Sequence, residues 1–369
     1  MADLAGFLVD HSDRFYSSGL SSLYNLAKSP DVETEQRRSA VKAAVRNWAA
    51  AKGFYRKTRA EALSNCQALE EISRLSEPLD RTYNLLADSY SRACMVEVMG
   101  YRVLGPSQVR LSKNNATYDR LLERSKNAAR AKRTRKISML DGWLDSFDLS
   151  SFGFPVDCDL HYLSVLYTFA LEQYRYSQSE KVEVSPGDIV VDGGGCWGDT
   201  ALYFAHRCAP SGKVFVFEFS PDNLPILRQN IALNTGLAER VSVVERALWD
   251  VSDEELCFDP SGPATRIGVK KSGEDTAITM SIDDLVERNA LQSLNFIKMD
   301  IEGAELRALH GAESTLRRFR PKLAITLYHR LEDFATIPHY LQSLDLGYRF
   351  FMDHFSVKWE ETVMFAKCP

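Results

Sequence analysis

The segment DIVVDGGGCWGDTALYFAHR, residues 188–207, concentrates the residue types that bind cofactors. A strand-forming run ends at Asp192, a glycine-rich turn follows, and a helical pattern starts near Asp199-Thr200. Such a turn lets a ligand approach the backbone and the exposed N–H groups of the helix. Gly193, Gly195 and Gly198 satisfy GxGxxG, and Glu218 ends the next strand about twenty residues on, the spacing of a dinucleotide fingerprint. The same letters satisfy a second pattern, DxGxxxG, through Asp192, Gly194 and Gly198. The acid favours the second pattern, because a pyrophosphate is anionic whereas a carboxylate suits a ligand carrying positive charge. Glu218 can accept hydrogen bonds from both hydroxyls of a ribose in either case.

A second group of reactive types follows later strand runs. Asp300 and Glu302 come after NFIKMD, Tyr328-His329 closes KLAITLY, and His354 lies in YRFFMDHF. Ligands of open α/β sheets bind at the carboxyl ends of the strands, so these positions are candidates for chemistry. Neutral imidazole can take a proton near pH 7, which makes His329 the preferred base. Asp300 could orient it, place a hydroxyl, or take the proton itself. Glu302 and Glu305 have a plainer alternative as acids at a helix N-terminus. A divalent metal needs several converging ligands. Tyr328-His329-Arg330 stands where a pair of acids would serve, so no obligatory metal is expected.

The elements that must position these residues differ between the two halves. Apolar runs at 188–192, 213–218, 241–245, 295–300, 322–328, 348–355 and 361–367 alternate with amphipathic segments. That pattern predicts βαβ units and a parallel sheet, with the last two runs forming an antiparallel hairpin. The first 150 residues show helical spacing instead. One helix is expected after Pro30, a second over Arg59 to Leu75 ending before Pro78, and a third from near Asp88 to Gly105-Pro106 that buries Cys94, Met95 and Val98. The chain is therefore read as a separable helical unit over 1–140 and an α/β domain over 141–369. RSKNAARAKRTRK, residues 124–136, holds seven basic side chains and no acid. Without interleaved aromatics it reads as a solvated helix face or loop, with a phosphate contact as the alternative.

From about Gly187 to Lys367 the chain resembles the FkbM-type family of S-adenosylmethionine (SAM)-dependent O-methyltransferases. The resemblance rests on VVDGGGCWGDTALYFA, FVFEFSPDNLPILRQNIALN, ERALWD, TMSIDDL, FIKMDIEGAELRALHGAESTL and LAITLYHRLEDFATIPHYL, with KMDIEGAE the strongest signature. It implies a Rossmann-like, seven-stranded, mostly parallel sheet after an N-terminal helical domain, and SAM as cofactor. The implied cofactor contacts are Asp192, Gly194, Gly198, Glu218 and, along the adenine, Ala247. The implied catalytic group is His329, Asp300 and Glu302. Gly195-Cys196-Trp197 departs from the family pattern, and Trp197 packs either over the cofactor or against the sheet. The implied reaction is O-methylation of a sugar, glycoconjugate or polyketide-like acceptor. Two other functions stay open: a nicotinamide-dependent oxidoreductase using GxGxxG, and a non-catalytic SAM-binding scaffold.

Composition sets the outer bounds. At 369 residues, 45% apolar and 26% charged, the chain fits two globular domains and excludes disordered and fibrous classes. No stretch approaches a membrane span, and MADLAGFLVDHSDRF lacks the basic start of a secretory signal. Seven cysteines without any CxxC argue for a reducing compartment, the cytoplasm. The formal charge is +6 over residues 1–150 and -11 over the remainder. The basic half could hold an acidic acceptor or join copies of the chain into a homo-oligomer, and a nucleic-acid partner is not expected.

Overall fold

The computed structural model describes residues 74–106, 109–137, 142–259, 266–267 and 275–369. The first two expected helices lie outside these residues. Helix α1, Ser76–Leu85, begins where the sequence reading ended a helix. Pro78 sits in its first turn, where a missing N–H costs nothing. Helix α2, Ser89–Leu104, is capped by the Asp88 carboxylate, which accepts from the Ser91 N–H at 2.7 Å, and it stops at Gly105. Helix α3 spans Ala116–Asn127. Strands β1 (Ala129–Lys136), β2 (Trp143–Asp148) and β3 (Asp157–Leu160) then form an antiparallel sheet. The basic stretch is thus the last turn of α3 and an edge strand, not a helix face or loop. Arg130 in it pairs with Asp148 and Asp157.

The expected seven runs all become strands: β4 (Ile189–Gly193), β5 (Lys213–Phe217), β6 (Val241–Val244), β11 (Phe296–Met299), β12 (Lys322–Thr326), β13 (Arg349–His354) and β14 (Thr362–Lys367). They form one sheet in the order β13-β14-β12-β11-β4-β5-β6, with β14 antiparallel to both neighbours. Strands β7 (Ala247–Leu248), β8 (Glu255–Asp259), β9 (Arg266–Ile267) and β10 (Thr276–Met280) make a small second sheet beside it. The helices that matter for the site are α4 (Asp199–Arg207), α5 (Leu224–Leu233), α6 (Ile282–Arg288), α7 (Glu305–His310) and α8 (Asp333–Ser343).

Alternate residues of each central strand enter separate cores, as period-two geometry requires. Val190, Phe296 and Ala324 pack with Leu144, Phe147 and Leu160 of β2 and β3 and with Phe204 of α4. Val191, Ile297 and Leu323 pack with α6, α8, α1 and α2. Leu79, Leu86, Met95, Val98 and Met99 are each at most 4% exposed within that second core. The described residues before 140 thus include a strand, and helices α1 and α2 share a core with one face of the main sheet. A chain starting at Gly142 is accordingly expected to lose cooperative unfolding by circular dichroism. Five such side chains at about 1.5–3 kcal/mol each rival a whole domain's net stability of about 5–15 kcal/mol. A sharp melting transition in that shortened chain would show the helices to be dispensable.

Candidate active site

The glycine turn is shaped by what lies under it. Asp192 on β4 is the register partner of Lys298 on β11, and their side chains meet at 3.1 Å with 0% and 1% exposure. Lys298 Nζ also donates to the carbonyls of Gly193 and Gly194 at 3.0 and 2.7 Å. Thr200 Oγ1 donates to Asp192 at 2.7 Å. Burial works against the Lys298 charge, but Asp192 and Asp300 outweigh it and hold its pKa above the usual lysine value. Asp192 therefore fixes the turn from beneath and does not line the cleft above it. Gly194 has φ +84°, and a Cβ there would lie 2.0 Å from the Asp300 carbonyl oxygen. The turn thus needs glycine to let two strand ends approach, before any ligand is considered. Gly198, at the start of α4, likewise lies outside the lining.

Above the turn opens a cleft at the carboxyl ends of β4, β5 and β11. Gly194, Glu218, Ala247, Asp300 and Glu302 line it, as do Cys196, Asn223 and Arg246. Glu218 is 7% exposed, and its Oε1 accepts from the N–H groups of Phe219 and Ser220, both at 2.8 Å. Asn223 Nδ2 donates to Oε2 at 3.3 Å. Burial pushes the Glu218 pKa up, against these hydrogen bonds. Cys196 and Glu302 hold φ of +44° and +57°, a left-handed backbone that side-chain-bearing residues rarely adopt. Such strain gathers where a site dictates geometry.

Across the cleft from the β5 end, Asp300 accepts from Tyr174 Oη at 2.8 Å and from Tyr328 Oη at 3.1 Å. Behind it sits His329, its side chain 4% exposed and outside the cleft lining. His329 Nδ1 is 3.0 Å from Glu305, and Nε2 is 3.3 Å from Asp300 and 3.5 Å from Glu302. Burial opposes a charge on this ring, but Glu305, Glu302 and Asp300 prevail and hold its pKa well above the ordinary histidine value. A ring with carboxylates on both nitrogens is not placed to receive a proton from the cleft, so the preference for His329 as base does not survive the geometry. The expectation of too few converging ligands also fails: Asp300, Glu305 and His329 each offer a ligand atom within 4.8 Å of the others. His354 lies elsewhere, hydrogen-bonded to Thr362 at 2.8 Å, with burial taking its pKa down to about 4. Trp197 is 3% exposed and packs in the core with β2, β3 and α4, which settles its orientation against the sheet.

Residues 184–350 match the family model of the methyltransferase FkbM domain. This region of the chain is similar to the FkbM methyltransferase domain. The chain is 30% identical over 138 residues to the hexuronic acid methyltransferase AglP of Haloferax volcanii, a match covering 37% of this chain and 54% of that protein. The chain thus spans about half the length of this curated relative. It also resembles the crystal structure of methyltransferase FkbM from Methylobacillus flagellatus KT, with a TM-score of 0.52 and 20% identity. That likeness covers 80% of this chain and 60% of the other, and it speaks to the fold.

Within the matched region, sequence reasoning missed Cys196, Asn223, Arg246 and Lys298. Arg246 stands next to the expected Ala247 and enters the lining with it. Lys298 carried a signal, a charged residue inside an otherwise apolar strand run, which must be paired if buried. Tyr174 carried none, since only the folded chain brings it to Asp300 from 126 residues away.

Proposed function

We propose that the chain transfers a methyl group from SAM to a hydroxyl of a sugar or glycoconjugate. The observation that carries this is a cleft with an oriented buried carboxylate, Glu218, at one strand end and Asp300 at another. The site fits SAM by its donor set. Two backbone amides hold Glu218 Oε1, so Oε2 is presented to vicinal ribose hydroxyls, and the small Ala247 leaves room for a flat base. The cofactor, when bound, would supply a methyl on a sulfonium, with the S–C bond breaking as the acceptor O–C bond forms and the hydroxyl proton passing to Asp300.

The chain's own residues align and shield that exchange. Asp300, fixed by Tyr174 and Tyr328, receives the acceptor hydroxyl as a hydrogen-bond partner and sets its approach. Leu248 and Ile301 supply apolar wall that keeps water from the reacting atoms. A sugar acceptor is supported by the hexuronic acid specificity in the name of the Haloferax relative.

Calorimetry with SAM, its demethylated product and NAD tests the reading. Binding of the first two and not of NAD is expected, and NAD binding alone would sink it. Glu218→Ala should weaken SAM by about 1–3 kcal/mol, the worth of hydrogen bonds to a charged group. Transfer of label from SAM to a panel of free and nucleotide-linked sugars then reads the acceptor class.

A further inference from the structure

We propose that Asp300, Glu302 and His329 form a binding site for one divalent transition-metal cation, with Glu305 fixing the histidine tautomer. Two carboxylate oxygens face one ring nitrogen: His329 Nε2 lies 3.3 Å from Asp300 Oδ1 and 3.5 Å from Glu302 Oε2. Ligands about 2.0–2.2 Å from a metal, at tetrahedral or octahedral angles, stand about 2.8–3.6 Å from one another. Both observed spacings from Nε2 fall in or at the edge of that range.

The second observation is the state of the ring. His329 Nε2 is a buried nitrogen without a hydrogen-bond partner, and it points between two carboxylates. Its other nitrogen, Nδ1, lies 3.0 Å from Glu305 Oε1. Glu305 is wholly buried, and the same oxygen accepts from the Ile301 N–H at 2.9 Å and from Thr326 Oγ1 at 3.3 Å. An acceptor so fixed holds a proton on Nδ1 and makes Nε2, which faces Asp300 and Glu302, the nitrogen available to a metal. Metal-binding histidines are oriented by a carboxylate behind the ring in this way. A position flanked by two carboxylates favours a cation, and a divalent ion can fill it in place of a proton.

Two carboxylates and a neutral imidazole match the charge of a divalent ion. The mixed nitrogen and oxygen donors suit Mn²⁺, Co²⁺ or Zn²⁺ better than the all-oxygen preference of Ca²⁺ and Mg²⁺. Asp300 and Glu302 line the cleft, so remaining coordination positions open toward an acceptor. The role of the ion rests on the methyltransferase reading: it would take the acceptor oxygen as a ligand and favour loss of the hydroxyl proton before the methyl arrives. The binding itself does not rest on that reading.

Full-length protein stripped with EDTA and titrated with Co²⁺ and Mn²⁺ tests the site. One ion per chain is expected, seen as visible ligand-field absorption for Co²⁺ and loss of free-ion signal in electron paramagnetic resonance for Mn²⁺. Glu302→Gln, at the cleft edge, and His329→Ala should each weaken binding at least roughly ten-fold, and Glu305→Gln roughly 10–100-fold. Glu218→Ala should bind the ions as wild type does. Thermal melts identify any variant that fails to fold, and Glu302→Gln, the mildest change, then decides. Absence of stoichiometric binding in wild type, or wild-type affinity in folded Glu302→Gln and His329→Ala, overturns the site. Calorimetry with SAM on the same samples separates the two ideas: SAM binding by protein that takes up no ion removes the metal alone, and ion binding without SAM binding removes the methyltransferase reading alone.

Discussion

Asp300→Asn is expected to lower the methyl-transfer rate by roughly 10²–10⁴, the range for loss of a group that manages a proton. SAM affinity should stay nearly unchanged. Asparagine keeps the shape and can still accept from Tyr174 and Tyr328, whose hydroxyls lie 2.8 and 3.1 Å from the carboxylate. What is lost is the negative charge beside His329 and at the acceptor hydroxyl. Combining Asp300→Asn with His329→Ala should cost far less than the two single losses multiplied, because the residues act as one unit. Single-turnover transfer of labelled methyl reads both effects. A rate within a few-fold of wild type for Asp300→Asn would place the chemistry elsewhere in the cleft.

The largest stability effect is expected from Lys298→Met. The Lys298–Asp192 pair is 1% and 0% exposed, and removing one partner leaves the other charge buried and uncompensated. Breaking such a pair costs about 3–5 kcal/mol, a large share of a typical domain's stability. The double variant, Lys298→Met with Asp192→Leu, should recover much of that loss, since apolar pairs of similar size often substitute without penalty. It should still bind SAM poorly, because Lys298 also holds the carbonyls of Gly193 and Gly194 in place. Urea unfolding monitored by fluorescence measures the first claim and calorimetry the second. A Lys298→Met protein as stable as wild type would show that the pair contributes nothing net.

What was legible in the chain follows from how local each cause is. The seven strands of the main sheet read correctly because their apolar runs are continuous, as burial on both faces demands. Strand β1, ARAKRTRK, has no apolar period and is held by pairing with β2, through a register broken by irregularities. Nothing within those eight residues announces a strand. The same division runs through the site. Glu218, Asp300 and Glu302 stand at strand ends that can be counted in the sequence, Ala247 is implied by the family resemblance, and all four line the cleft. Asp192 and His329 stand where strand-end counting puts them, yet their roles depend on partners across the sheet or on another helix. Lys298 meets Asp192 only through the register of β11 on β4, and Glu305 reaches His329 from α7. Register and helix packing are properties of the folded chain.

The antiparallel strand β14 has a consequence for synthesis. It lies between β12 and β13, so the sheet's outer portion cannot zip until residues 362–367 have been synthesised. Helix α2 waits on the same event. Its Ser91 hydroxyl accepts from the Met352 N–H, 261 residues away, and its Tyr90 donates to Asp353 at 2.7 Å. Closing a loop that long costs entropy before any contact rewards it. Until then Met95, Val98 and Met99 lack the part of their core that β13 and β14 supply, and exposed apolar surface of this kind favours association of incomplete chains. A stop codon placed just before Thr362 would leave β13 without its partner strand, a lesion that quality control would read at once.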